Sequence, residues 1–195
     1  MIKNRSLYEK KDERFGFVMS KMYKFFTIIP ASKDIYNAII SDIFTKKFNS
    51  LLDIGCGTGV VIKSIAKKRK GIYYGIDPSP YMVDIANKNN TTVKFILGSN
   101  RELPKNKKFD IIFSSLSFHH WPDKETSINY ILDSLIPSGI FIIYESDKNK
   151  MNYLSKMLIG NHAMTEEAFK KISSKIGKKI KIRRRGSLII AEIKK

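Results

Sequence analysis

From Leu51 onward, short β-branched runs alternate with longer stretches whose apolar residues recur at helical spacing. The runs Leu51–Ile54, Ile72–Ile76, Val93–Leu97, Asp110–Phe113 and Gly139–Tyr144 have the length and continuity of strands buried on both faces. Between them lie the amphipathic segments Val60–Lys68, Tyr81–Lys88 and Lys124–Leu135, and this alternation predicts a doubly wound sheet with five parallel strands. Pro137-Ser138-Gly139 is expected to punctuate the last helix-to-strand passage, because proline cannot continue a helix and glycine tolerates the turn. A further helix is predicted over Thr165–Ile176, with Glu166 and Glu167 in its first turn and Gly177 as its stop. Lys179–Arg184 and Ser187–Ile193, separated by Arg185-Gly186, then predict a tight antiparallel hairpin that brings the sheet to seven strands.

Upstream, Met19, Met22, Tyr23 and Phe26 share one helical side, and Ile35, Ile39, Ile40 and Ile43 another. The expected division is a helical cap over residues 1–48 and a main α/β domain over residues 49–195. Tyr8, Phe15 and Phe17 add to the apolar character of the cap, which suits a lid over a small or lipophilic molecule.

The length of 195 residues fits one domain with a small appendage, and 43% hydrophobic residues are enough for a globular core. An excess of 36 Lys and Arg over 18 Asp and Glu gives a net charge of +18, a field that favours anionic partners such as nucleic acid. The lysines are scattered along the chain, so general compositional bias is the competing explanation. A single cysteine, Cys56, excludes a disulfide framework and a cysteine-based metal cluster, and fits a reducing compartment. The apolar runs Phe25–Pro30 and Ile140–Tyr144 fall far short of the roughly 20 residues of a membrane span. Glu9, Asp12 and Glu13 interrupt the position of a secretory apolar core, so a cytoplasmic protein without a metal site is expected.

Chemistry concentrates at Asp53-Ile54-Gly55-Cys56-Gly57-Thr58-Gly59, an apolar strand that enters a glycine-rich turn before a helix. Gly55, Gly57 and Gly59 permit a tight turn and close approach of a ligand, and the N–H groups of the following helix suit an anion. Asp77 ends the next strand, about 20 residues on, where a carboxylate can take both hydroxyls of a ribose. Cys56 is read as a small buried filler rather than a nucleophile.

This Asp-x-Gly-x-Gly-x-Gly turn with its following Asp77 resembles the class I S-adenosylmethionine-dependent methyltransferases, in particular the branch acting on small molecules, quinones and lipids. The resemblance covers roughly residues 45–146 and implies a Rossmann-like sheet of seven strands with the seventh antiparallel. It further implies that Asp53 faces the cofactor's amino group, the Gly55–Gly59 loop its methionine moiety and Asp77 its ribose, with Pro78, Ser79 and Met82 near the adenine. After the third strand, many members carry an Asp that contacts the adenine amino group. Here Ser99 stands there, followed by Asn100, and a neutral acceptor is about half as strong as a charged one.

Ser114, Ser115 and Leu116 follow the fourth strand, where the carboxyl-end loop of a doubly wound sheet lines the ligand crevice, and they are expected at the cofactor. The segment continues as Ser117-Phe118-His119-His120-Trp121-Pro122, which resembles the His-His/Trp segment of small-molecule methyltransferases. It lacks the Asn/Asp-Pro-Pro-aromatic loop of amino-group nucleic-acid methylases. His119 or His120 is the candidate base, since an unperturbed histidine titrates near neutrality. In an extended segment one of two neighbours faces the pocket, and the bland reading makes one a packing residue and the other a wall. Glu145, at the end of the fifth strand, is open between the acceptor side and solvent. The functional expectation is methyl transfer to a small or lipophilic acceptor. The alternatives are an RNA methyltransferase using the basic surface, densest at Lys178–Arg185, or a non-catalytic cofactor-binding domain.

Overall fold

The computed structural model of the chain describes residues 30–151 and 163–195. Its elements are α1 (Pro30–Phe44), β1 (Ser50–Ile54), α2 (Val60–Ala66), β2 (Ile72–Asp77), α3 (Pro80–Asn87), β3 (Lys94–Leu97), β4 (Phe109–Ser115), α4 (Lys124–Asp133), β5 (Leu135–Ser146), α5 (Glu166–Ile176), β6 (Ile180–Arg185) and β7 (Leu188–Lys194). Single 3-10 turns lie at Phe118–His120 and Lys148–Lys150. The seven strands form one sheet in the order β3-β2-β1-β4-β5-β7-β6. β1 to β5 run parallel, and β7 lies antiparallel between β5 and β6. The predicted fold class holds.

Two local departures have physical causes. Pro137-Ser138-Gly139 does not end a helix, because α4 has already stopped at Asp133; the tripeptide sits inside β5. Leu135 pairs with Phe109 and Ile140 with Ile111, so the extra β5 residues form a bulge against β4, with Pro137 and Ser138 exposed. The hairpin turns one residue later than predicted, at Gly186-Ser187, because Arg185 remains paired with Leu188 and Gly186 takes the left-handed conformation at φ 57°. The ends of α5 follow the sequence signals: the Thr165 hydroxyl accepts from the Ala168 N–H, and Gly177 closes the helix at φ 63°.

Alternation along the strands sends side chains to two cores. Leu52, Ile54, Ile112, Phe141 and Ile143 face α4 and α5, which contribute Ile128, Ile131 and Phe169. Leu51, Ile111, Phe113, Ile142 and Tyr144 face the opposite side, with Ile62 and Ile65 of α2. The predicted apolar stripe of α1 is realised there, since Ile39, Ile40 and Ile43 are all buried in that second core. The companion stripe of Met19, Met22, Tyr23 and Phe26, with Tyr8, Phe15 and Phe17, lies outside the described residues.

α1 is also fastened by charge. The Tyr144 hydroxyl donates to Asp42 Oδ2 at 2.7 Å, Arg183 bonds both Asp42 and Glu192, and Lys46 reaches Glu192 at 2.9 Å. Burial alone pushes the Asp42 carboxyl up, but hydrogen bonds from Arg183 and Tyr144 outweigh it and hold Asp42 below its usual range. The arginines of the C-terminal basic cluster are likewise occupied by the chain itself. Arg184 binds Asp147 and Glu166 at 2.8 and 2.9 Å, and Arg185 donates to the Ala38 carbonyl and the Ser41 hydroxyl, both at 3.2 Å.

Removing Asp42 strands a buried phenol and leaves the Arg183 guanidinium with Glu192 alone. Asp42→Ala is expected to cost about 2–4 kcal/mol in urea unfolding, toward the low end for a broken buried pair because Arg183 keeps some contact with water. A loss below about 0.5 kcal/mol, the scale of an ordinary surface substitution, would remove the network from the forces holding α1.

Candidate active site

The strand order reverses between β1 and β4, so the connections leaving these neighbours diverge and open a crevice at their carboxyl ends. On the β1 side the chain turns through Gly55, Gly57 and Gly59 at φ 72°, 53° and 76°. A Cβ in this region costs about 1–2 kcal/mol of strain for an L residue. At two positions space adds to strain: a Cβ on Gly55 would lie 2.7 Å from Ser117 Cβ, and one on Gly59 would lie 2.7 Å from the Phe95 ring.

The turn is tied down by its own amides. Gly55 and Cys56 N–H both donate to the Ile76 carbonyl, at 2.8 and 3.0 Å, and Gly59 N–H donates to the Cys56 carbonyl at 2.9 Å. Gly57 N–H donates to Asp77 Oδ2 at 2.8 Å. These four groups are engaged within the chain and fix the shape of the turn. Cys56 is buried, as a filler should be, and burial together with Asp77 and Asp53 pushes its thiol well above the usual range.

Two carboxylates dominate the site's electrostatics. Asp53 is 1% exposed, and its Oδ1 has no hydrogen-bond partner among the described residues. Burial first, and the neighbouring Asp77 second, push its carboxyl well above the ordinary value. Asp77 accepts from Gly57 N–H and, through Oδ1, from Ser79 N–H at 2.9 Å. Burial nevertheless pushes it up to about 6 against the pull of those two bonds. A buried pair of acids repels phosphate and suits a cation with hydroxyl donors, so a nucleoside bearing a positive charge fits here better than a dinucleotide.

The remaining predicted residues lie past the carboxyl ends of β2 and β3. Pro78 is half-buried, Ser79 and Met82 are buried at the start of α3, and Ser99 and Asn100 are buried after β3. Ser99 Oγ accepts from the Arg101 N–H at 3.3 Å. The Asn100 amide instead donates to the Ser127 hydroxyl and so braces α4.

On the β4 side, the Ser114 and Ser117 hydroxyls are 2.8 Å apart, and Ser117 donates to the Ile54 carbonyl at 3.1 Å. Leu116 is held at φ 53° with its N–H on the Tyr144 carbonyl. Ser115 lines a small cavity with Tyr36, Gly55, Cys56, Thr58 and Val60. Ser117 and Tyr36 carry no signal in the sequence: one is the third serine within the four residues Ser114 to Ser117, the other an aromatic on a distant helix.

His119 and His120 do not sit in an extended segment as expected. The Phe118–His120 turn is 3-10, both histidines are half-buried, and their ring centroids are 4.0 Å apart. Glu145 is not solvated. It is 0% exposed, with Oε1 accepting from the His119 N–H at 3.1 Å and Oε2 2.9 Å from His119 Nδ1. Lys124 donates to the His119 and Trp121 carbonyls at 3.3 and 2.6 Å. Burial lowers the pKa of its ammonium, while nearby Glu145 opposes that shift. Among the described residues no group of His, Cys, Asp and Glu has a metal-binding arrangement, and no helix is long and apolar enough to cross a membrane.

Residues 52–143 match the family described as methyltransferase domain. Over 113 residues the chain is 31% identical to malonyl-[acyl-carrier protein] O-methyltransferase of Priestia megaterium, covering 55% of this chain and 41% of that one. The chain spans about half the length of the curated relatives it matches. Its fold superposes on a candidate S-adenosylmethionine-dependent methyltransferase from Methanococcus maripaludis with a TM-score of 0.76 and 22% identity, covering 100% of this chain and 97% of that one. It also superposes on plantazolicin methyltransferase BpumL, solved with a monoazolic desmethyl analogue and S-adenosylhomocysteine, with a TM-score of 0.68, 18% identity and coverage of 91% and 95%. The matched segment contains both the acid-flanked glycine turn and the strand reversal that opens its crevice, so residues 52–143 are similar in sequence to methyltransferase domains and the chain shares the fold of the superposed methyltransferases.

Proposed function

We propose that this chain binds S-adenosylmethionine in the crevice at the carboxyl ends of β1, β2 and β4 and transfers its methyl group to a small or lipophilic acceptor. The observation that carries the reading is Asp53, a buried carboxylate with an oxygen lacking a donor, set beside a second buried acid. An unpaired charge in that position is costly, and an ammonium group from a ligand supplies both the charge and the hydrogen bond. Asp77 uses one backbone bond per carboxylate oxygen, which leaves acceptor capacity for the two ribose hydroxyls.

In this reading Gly55, Cys56, Gly57 and Gly59 face the methionine moiety, and Pro78, Ser79, Met82 and Ser99 surround the adenine. Asn100 supports the adenine side from behind, through Ser127. Ser114, Ser115 and Leu116 form the opposite wall, with His119 and His120 toward the acceptor. When bound, S-adenosylmethionine supplies a methyl group already activated on a sulfonium. The chain's task is then alignment, for which about 7–11 kcal/mol of barrier reduction is available. A small acceptor is preferred over RNA because the arginines in the densest basic cluster are spent on contacts within the chain.

Calorimetry tests the cofactor reading. S-adenosylhomocysteine is expected to bind at micromolar concentration, roughly −8 kcal/mol, and Asp77→Ala to weaken it at least about tenfold. Absence of binding at millimolar ligand would overturn the reading. If Ser99 faces the adenine, Ser99→Asp is expected to tighten binding by about 1 kcal/mol.

The raised pKa of Asp77 has a second measurable effect, on the ligand-free chain. Folded Asp77 holds its proton up to about 6, whereas the unfolded chain releases it near the ordinary 3.8, so Asp77 favours the folded state fully only below that lower value. As pH rises through about 6 the contribution is lost, and the difference of about two units corresponds to roughly 3 kcal/mol. Asp77→Asn is therefore expected to gain stability relative to the wild type as pH rises across this window, read by urea unfolding in pH steps. A constant difference would contradict the shift.

A further inference from the structure

His119 is joined at two atoms to one fully buried carboxylate, and the proposed transfer makes no use of that carboxylate. Glu145 lies near the carboxyl end of β5, one residue beyond the pairing of Tyr144 with Ser115 of β4, and the turn carrying His119 follows directly from Ser117. Ser117, two residues before His119, occupies the space above Gly55 and links the histidine turn to the glycine turn. Pinning this turn to β5 needs a single bond, and Oε1 already makes it to the His119 N–H. Oε2 engages the ring at 2.9 Å, which fixes the orientation of the imidazole as well as the path of the backbone.

We propose that Glu145 is a positioning residue that holds His119 as the Nδ1–H tautomer, making Nε2 the base that accepts a proton from the methyl acceptor; this rests on the methyl-transfer reading above. A carboxylate only accepts hydrogen bonds, so the proton between Nδ1 and Oε2 belongs to Nδ1. In a neutral ring the lone pair is then on Nε2. The proton of the acceptor's X–H group passes to Nε2, and the electron pair left on X forms the bond to the methyl carbon. The carbon–sulfur bond breaks with its pair remaining on sulfur, and the resulting imidazolium is balanced by Glu145. His120 packs against the His119 ring, and the Lys124 ammonium sits at the base of the same turn.

The arrangement selects a class of acceptor. A hydroxyl, an N–H or an acidic C–H has a proton to surrender and gains from an oriented base. A carboxylate is already an anion at neutral pH and gains nothing. The acceptor is therefore a protic group and the product an ether, an alkylated nitrogen or an alkylated carbon, not a methyl ester.

Nitrogen-15 spectra of the histidine-labelled chain with S-adenosylhomocysteine, in mildly alkaline buffer, read the tautomer. The wild type is expected to show His119 protonated on Nδ1, and Glu145→Gln to move the proton toward Nε2. A wild-type His119 protonated on Nε2, or a tautomer unmoved by the substitution, overturns the proposal, and the first of these needs no variant to fold. In a second arm, methyl-labelled S-adenosylmethionine is incubated with a small-molecule cell extract. Glu145→Gln and His119→Ala are each expected to lower labelled product by about 10²–10⁴-fold while affinity for S-adenosylhomocysteine stays within about twofold. Wild-type turnover in Glu145→Gln, or a methyl ester as the labelled product, overturns it. Failure of the wild type to bind S-adenosylhomocysteine instead overturns the methyl-transfer reading, while the spectra still decide what Glu145 does to His119.

Discussion

Ser117 fills the space that a side chain on Gly55 would need, and that contact exists because β1 and β4 are hydrogen-bonded neighbours whose connections leave in opposite directions. The rest of the carboxyl edge follows from it. With Ser117 on the Ile54 carbonyl and the Gly55 and Cys56 amides on the Ile76 carbonyl, the ends of β1, β2 and β4 are locked into one assembly. Asp53 enters that assembly from below, Asp77 from one side and the histidine turn from the other. No single strand supplies the site. Its precision comes from backbone bonds between strand ends, which leave less rotational freedom than contacts between long side chains.

The same assembly holds two acids out of water, and this conflicts with stability in the ligand-free chain. Burial raises both Asp53 and Asp77, and Asp77 further disfavours the charge on Asp53. Elsewhere the chain treats buried charge differently: Asp42 meets Tyr144 and Arg183, and Asp147 meets Arg184. The contrast separates acids placed for the fold from acids left for a ligand to complete. Strain and unpaired charge concentrated at one edge are the common signature of a functional site carried by an otherwise satisfied scaffold.

Much of this was legible in order along the chain because it depends on local period and spacing. The strand runs, the α5 caps, the glycine turn and Asp77 are each read within a few residues, and the physics that fixes them is equally local. Pro137-Ser138-Gly139 is ambiguous in the sequence because a proline-glycine signal marks a bulge as readily as a helix end, and it is the pairing of Leu135 with Phe109 that makes it a bulge within β5. The basic cluster was ambiguous for a different reason. Sequence counts charges but does not show that Arg183 finds Asp42, 141 residues away. Glu145 and His119 are 26 residues apart, and only the adjacency of β4 and β5 brings the carboxylate to the ring.

Tyr144 and Glu145 are consecutive on β5, and alternation sends one toward α1 and the other toward the histidine turn. The strand thus works as a two-sided key whose meaning lies in odd and even positions. A slip of one residue in the pairing of β5 with β4 would present the phenol to His119 and drive the carboxylate under α1 against Asp42, two acids meeting in a dry interior. Both faces would be wrong at once, so the correct register is selected twice. The helix clamp on one side of the sheet and the chemistry on the other are set by a single choice of alignment.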